Sequence, residues 1–184
     1  MAILGLIIIL GKITEFQHSY FGIMGGTVLQ SSKTTSDSWP IIGSLMEITM
    51  PGLPSFSIRG NTVVSWDKHP SPDSGWYVRN IALFFSSVYT KKFPLSPLEI
   101  YIGGGPEIHL YNWENIGTNE VSYCSKEANW VGLHILGGIR YEMLDFPLGI
   151  YGEVGYGKEI GKEKDLLGLG KLSQIIFTAG IRVH

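Results

Sequence analysis

The sequence contains a single cysteine, Cys124, and no stretch long enough to cross a membrane as a helix. One thiol excludes an internal disulfide framework and a cysteine-rich metal site, so Cys124 reads as a free thiol in a polar loop. The longest apolar run, Ala2 to Leu10, has nine residues, against roughly 18 for a spanning helix. Neither sign of charge is in excess: the net charge is −2, which argues against nucleic acid as a partner. Helix-period segments are absent. Lysine is missing from strand interiors, whereas all four arginines fall within them.

What is present is alternation. In "LHILGGIRYEML" (133–144), Leu133, Ile135, Ile139, Tyr141 and Met143 share one parity, and His134, Arg140 and Glu142 share the other. Period two is the signature of a strand between two unlike environments. It recurs eight times and predicts strands over 18–30, 40–50, 55–67, 76–90, 98–112, 130–143, 148–158 and 172–184. The connections alternate too. "MPGLPS", "KKFPLSP" and "LDFP" are short and proline-marked. "SSKTTSDS", "DKHPSPDSG", the Asn112–Asn129 segment and "KEIGKEKDLLGLGK" are long and polar. In an up-and-down barrel, alternate connections lie at opposite ends, and transmembrane barrels carry short turns at one end and long loops at the other.

Periodicity alone does not say which face points outward. A soluble lipocalin-like carrier of an apolar ligand would put the polar face in water. The residue types decide otherwise. A water-facing sheet is usually rich in lysine. Here the polar face holds Gly, Ser, Glu, His and Arg, and arginine suits paired, desolvated sites. The polar face is therefore expected to line a tight lumen, with room made by glycine, of which the chain has 24. The expected lumen network is Glu47, Arg59, Glu99, Glu107, Arg140, Glu142, Glu153 and Arg182. Arg140 is expected to pair with Glu142 or Glu153. Ile102, Leu133, Ile135, Val154, Phe177 and Ile181 are expected to face lipid. Phe56, Tyr89 and Tyr141 near the short turns, and Trp66, Tyr77 and Tyr156 near the long loops, read as interface girdles.

These stretches, together with "YFGIMGG" (20–26), "LEIYIGGGPEIHL" (98–110), "PLGIYGEVGYG" (147–157) and the terminal "IIFTAGIRVH", resemble the small eight-stranded outer-membrane β-barrels. Examples are the opacity proteins and the membrane domain of outer-membrane protein A. The resemblance implies an all-β, antiparallel, up-and-down transmembrane barrel over 18–184, with short periplasmic turns and long external loops. It also implies residence in the outer membrane of a Gram-negative-type envelope among lipid and lipopolysaccharide, insertion by the barrel assembly machinery, and loops available to an extracellular partner. Residues 1–17 are read as a signal-peptide remnant or N-terminal tail. The family ends in a lipid-facing aromatic, whereas this sequence ends in His184, which parity puts on the lumen side.

The expected role is structural, adhesive or envelope-stabilising, with a narrow pore or proton path as the alternative use of the lumen charges. His109 and His134 face inward from neighbouring strands, with Glu107 close to the first, but the register between them is open and no metal site or cofactor is expected. Outer-membrane enzymes of this architecture use a His–Ser pair with a carboxylate. The close pairs here, His18–Ser19 and His69–Ser71, lack a third group, so no enzyme is expected. "GGG" (103–105) and "GLGK" (168–171) match no phosphate-binding fingerprint.

Overall fold

Eight antiparallel strands close on themselves in chain order, each hydrogen-bonded to the next and β8 back to β1. They are β1 (Ser19–Ser31), β2 (Ser36–Met50), β3 (Leu53–His69), β4 (Ser74–Lys92), β5 (Leu98–Gly117), β6 (Ser125–Glu142), β7 (Leu148–Glu159) and β8 (Ser173–Val183). This computed structural model describes residues 19–31, 36–69, 74–117, 125–143, 146–160 and 173–183, without the side chains of 36–37, 67–69, 74–78 and 113–128. The readings of residues 1–17, His18, Ser71, Cys124, "GLGK" and His184, and of the Tyr77 and His69 side chains, lie outside the described residues.

The register can be followed once round the barrel through Ser19, Ile48, Ile58, Ser87, Gly104, Ile135, Tyr156 and Ile175, and it returns to β1 at Leu29, ten residues from its start. Closure of eight strands with such a stagger tilts them by about 35–45° to the barrel axis.

The short connections are built by their prolines. Pro51–Gly52 joins β2 to β3, and Gly52 adopts φ 75°, the left-handed value required at the third position of a turn that has proline at its second. Phe93–Ser96 repeats the design: Ser96 N donates to Phe93 O at 3.3 Å behind Pro94, with Leu95 at φ 62°. The third short connection closes on Met143 N donating to Leu148 O at 2.9 Å.

Strand boundaries differ from the alternation pattern at the opposite end. β5 runs to Gly117 and β6 starts at Ser125, so most of the segment read as an Asn112–Asn129 loop is paired strand. Likewise β3 reaches His69 and β4 begins at Ser74. The reason is physical. Outward-facing Arg79, Asn112 and Asn129 mark where the apolar exterior stops, and beyond it the backbone ladder continues without any need for alternation. β4 and β5 have 19 and 20 residues, about twice the 9–11 that cross a bilayer.

Candidate functional site

The exterior is apolar. Ile102 is 64% exposed and Ile135 65%, and Leu133, Val154, Phe177 and Ile181 also point out. Phe56, Trp66, Tyr89, Tyr141 and Tyr156 are exposed on the same outer face, and Phe56 packs against its cross-strand neighbour Tyr89 with ring centroids 5.1 Å apart. The charges lie inside. Arg59, Arg182, Glu47 and Glu107 are at most 2% exposed. This inverts the arrangement of a water-soluble barrel, and it removes the ground for a lipocalin-like reading, in which the apolar face would line the interior.

Near the short turns the charges form one layer. Register puts Glu47 beside Arg59 and Glu99 beside Arg140 as direct cross-strand neighbours. Glu47 is the hub. Its Oε2 accepts from Arg59 Nε at 3.0 Å, from Arg59 Nη2 at 2.8 Å and from Arg140 Nη2 at 2.8 Å, while Ser57 Oγ donates to Oε1 at 2.7 Å. Arg140 Nη1 also donates to Glu99 Oε2 at 3.3 Å, and Lys92 at the rim lies 3.1 Å from Glu99 Oε1. Arg59 Nη1 reaches across to Glu153 Oε2 at 2.5 Å, which Tyr101 Oη also contacts at 3.1 Å. Arg182 pairs with Glu142 through Nε and Nη2. Arg59 and Arg140 both lie 4.7 Å from the Tyr101 ring centroid, and Arg182 lies 3.8 Å from that of Tyr20. Four cations (Arg59, Arg140, Arg182, Lys92) thus meet four carboxylates (Glu47, Glu99, Glu142, Glu153). Mutual pairing is what lets such groups leave water.

Arg140 pairs with Glu47 and Glu99, not with Glu142 or Glu153 as expected. Glu142 is taken by Arg182, and Glu153 by Arg59. On β7 the residue opposite Arg140 is Tyr151, and Glu153 sits opposite Gly138, two places further along.

Glycine makes the room. A Cβ on Gly138 would lie 2.5 Å from Tyr101 Oη, one on Gly157 would lie 2.5 Å from Glu107 Oε1, and one on Gly149 would lie 2.8 Å from Glu142 Oε2. Each of these bare positions seats a large inward side chain from another strand. Gly103 and Gly105 of the "GGG" run would bring a Cβ against Ser87 O and Phe85 O respectively, so there the bare backbone lies close to β4.

The lumen is expected to be filled by the Glu/Arg network, whereas that network occupies only part of the interior. Towards the long connections, Met24, Val28, Trp39, Ile41, Leu45, Val63 and Phe84 form an apolar core. Glu107 lies apart from the arginines, with Gln174 Nε2 3.2 Å from its Oε2 and His109 Nε2 3.7 Å away. His109 stacks on Trp130 at 3.9 Å and contacts Asn80 Nδ2 at 3.1 Å and Gln174 Nε2 at 3.0 Å. His134 bonds instead to Ser86 Oγ at 2.8 Å. The Phe84 ring meets both imidazoles edge-on, with centroids at 5.6 Å from His109 and 5.1 Å from His134. Register places His134 opposite Gly105 and His109 opposite Trp130, so the two histidines are not neighbours. Among the described residues no three His, Cys, Asp or Glu side chains gather as a metal site.

Tyr101, Tyr151, Asn80, Ser86 and Gln174 join the interior although the charge pattern does not single them out. Tyr101 and Tyr151 share parity with Glu99 and Glu153, and that was the available signal.

No protein-family model and no curated protein matches the sequence. Solved structures do match the fold. Neisserial surface protein A is 16% identical, with 90% of this chain and 96% of that chain covered and a TM-score of 0.66. A major outer membrane protein from Thermus thermophilus is 12% identical, with coverages of 90% and 100% and a TM-score of 0.63. Ail, the attachment invasion locus protein of Yersinia pestis, crystallised with the heparin analogue sucrose octasulfate, is 11% identical, with coverages of 89% and 97% and a TM-score of 0.58. The chain has the fold of the small eight-stranded outer-membrane barrels.

Proposed function

We propose that this chain, built on the fold of the small eight-stranded outer-membrane barrels, resides in an outer membrane as a non-conducting barrel with a structural and surface-presenting role. One observation carries the reading: apolar side chains cover the exterior while buried Arg–Glu pairs occupy the interior. In water such a surface would aggregate, whereas in lipid it is the stable arrangement. The paired charges favour a static cross-brace over a pore, because Glu47 and Arg140 join opposite walls where an aqueous path would have to run.

The short turns then face the periplasm and the β3–β6 hairpins rise outside the cell. Those four strands have 17 to 20 residues, against 11 to 15 in the other four. Their excess forms a raised wall able to meet an extracellular partner, in keeping with the name of Ail, the attachment invasion locus protein. Outer-membrane lipid and lipopolysaccharide would surround the band, and the barrel assembly machinery would insert it.

Cell fractionation tests the location. The protein should be recovered from membranes with detergent and should migrate differently on gel electrophoresis before and after heating. Recovery in the soluble fraction would refute the reading. Discrete conductance steps in planar bilayers would refute the static interior and favour the pore.

A further inference from the structure

Between the charged layer and the apolar core lies a small cavity of about 20 Å³. Its lining includes Val63 and Leu136, but also Asn61, His134, Thr178 and Glu153, from four different strands. Asn61, His134 and Thr178 are each more than nine-tenths buried. Among the described residues, Asn61 Oδ1, His134 Nδ1 and Thr178 Oγ1 have no protein hydrogen-bond partner. Buried polar groups are nearly always bonded, and three of the unpartnered ones among the described residues belong to residues that line this one cavity. A cavity needs about 10–15 Å³, and two to four polar partners, to hold a water molecule.

We infer that this cavity binds a single water molecule, held by Asn61, His134 and Thr178. Charge selects water over an ion. The neighbouring layer is already balanced, with Arg59, Arg140, Arg182 and Lys92 against Glu47, Glu99, Glu142 and Glu153. An added anion would stand among carboxylates, with Glu153 in the lining and Glu107 close to His134, and a cation would compete with Arg59 for Glu153. A neutral molecule with two donors and two acceptor sites meets no such penalty.

The donor and acceptor roles are assigned with the Nε2–H tautomer of His134. Asn61 Oδ1 can only accept, so the water donates one proton to it. The water donates its other proton to His134 Nδ1 and accepts from the Thr178 hydroxyl. In this tautomer His134 donates from Nε2 to Ser86 Oγ, 2.8 Å away. The water ties β3, β6 and β8 together beside Glu153, so the polar network reaches one step higher into the barrel than the direct ion pairs do.

Two measurements on the folded, detergent-solubilised protein test this. A high-resolution crystal structure should show one solvent peak about 2.7–3.2 Å from all three atoms. An anomalous peak at that position after soaking with rubidium or thallium salts would overturn the assignment in favour of a cation. An empty cavity, or direct bonds among the three side chains, would overturn it as well. Nitrogen NMR of His134 should report the Nε2–H tautomer with a hydrogen-bonded Nδ1, and Thr178→Val, which keeps the shape and removes the hydroxyl, should shift the Nδ1 resonance. A protonated Nδ1, or an Nδ1 resonance unmoved by Thr178→Val, would contradict it.

Discussion

Arg140 Nη2 donates to Glu47 Oε2 at 2.8 Å, joining β6 to β2 across the interior. The same carboxylate oxygen accepts from Arg59, so one acceptor holds guanidinium groups from two strands. Removing Arg140 leaves Glu99 with Lys92 at the rim and Arg182 at 3.6 Å, and leaves Glu47 with Arg59 and a more distant Arg182 at 3.9 Å, so the layer keeps one carboxylate more than it has cations. Arg140→Ala should destabilise the barrel by about 3–5 kcal/mol, the cost of breaking a dry ion pair. Urea unfolding in lipid vesicles measures it. Double-mutant cycles should find coupling with Glu47→Gln and Glu99→Gln, and less with Glu142→Gln, whose partner is Arg182. Coupling confined to Glu142 would contradict the observed pairing.

Gly138 and Gly152 make a matched test of the crowded interior. A Cβ on Gly138 would strike Tyr101 and the backbone of Gly152, whereas one on outward-facing Gly152 meets nothing within 4 Å. Gly138→Ala should cost about 1–3 kcal/mol through overpacking. Gly152→Ala should be neutral or stabilising by about 0.4–1 kcal/mol, through the lower entropy of the unfolded chain. Equal effects at the two sites, measured by the same unfolding assay, would show that the facing is wrong.

Leu95 holds a left-handed backbone conformation in the Phe93–Ser96 turn with its side chain fully exposed. That conformation costs a non-glycine residue about 1 kcal/mol or more. Leu95→Gly should therefore raise the denaturant midpoint, with no change in the heat-modified gel mobility. A lowered midpoint would mean that the leucine side chain contributes something the turn geometry does not reveal.

Cys124 belongs to the long connection after β5, which alternation places at the end opposite the short turns. If the short turns are periplasmic, a membrane-impermeant thiol reagent should label Cys124 on intact cells. Labelling only after the outer membrane is broken, with the thiol reactive in the purified protein, would reverse the orientation.

Most of the fold was legible because a closed barrel with unlike sides writes itself as period two. Ile181 and Arg182 are adjacent in sequence and lie on opposite faces, and the pattern states this directly. Pairing partners were less legible. Which glutamate meets Arg140 depends on a stagger of ten residues around the barrel and on side chains that cross the lumen, and neither is local. The extensions of β5 and β6 past Asn112 and Asn129 were illegible for a different reason: the sequences of 113–117 and 125–128 do not alternate between apolar and polar residues, although their backbones are paired. The inward Trp39, Val63 and Phe84 were also missed, because apolar residues on the inner face blur the contrast on which the period rests.

The central claim is that the outer face meets lipid and the inner face does not, and side-by-side positions on β6 and β7 test it most directly. Single cysteines at Ile135, Leu136, Val154 and Gly155, each carrying a nitroxide in reconstituted vesicles, can be scored for collision with oxygen, which partitions into lipid, and with a water-soluble nickel chelate. The account predicts high oxygen accessibility at Ile135 and Val154 and low accessibility to both reagents at Leu136 and Gly155. As a second readout, arginine at Val154 or Ile181 should cost about 2–4 kcal/mol. High nickel accessibility at Ile135 and Val154, or oxygen accessibility that does not alternate along the strand, would contradict the account.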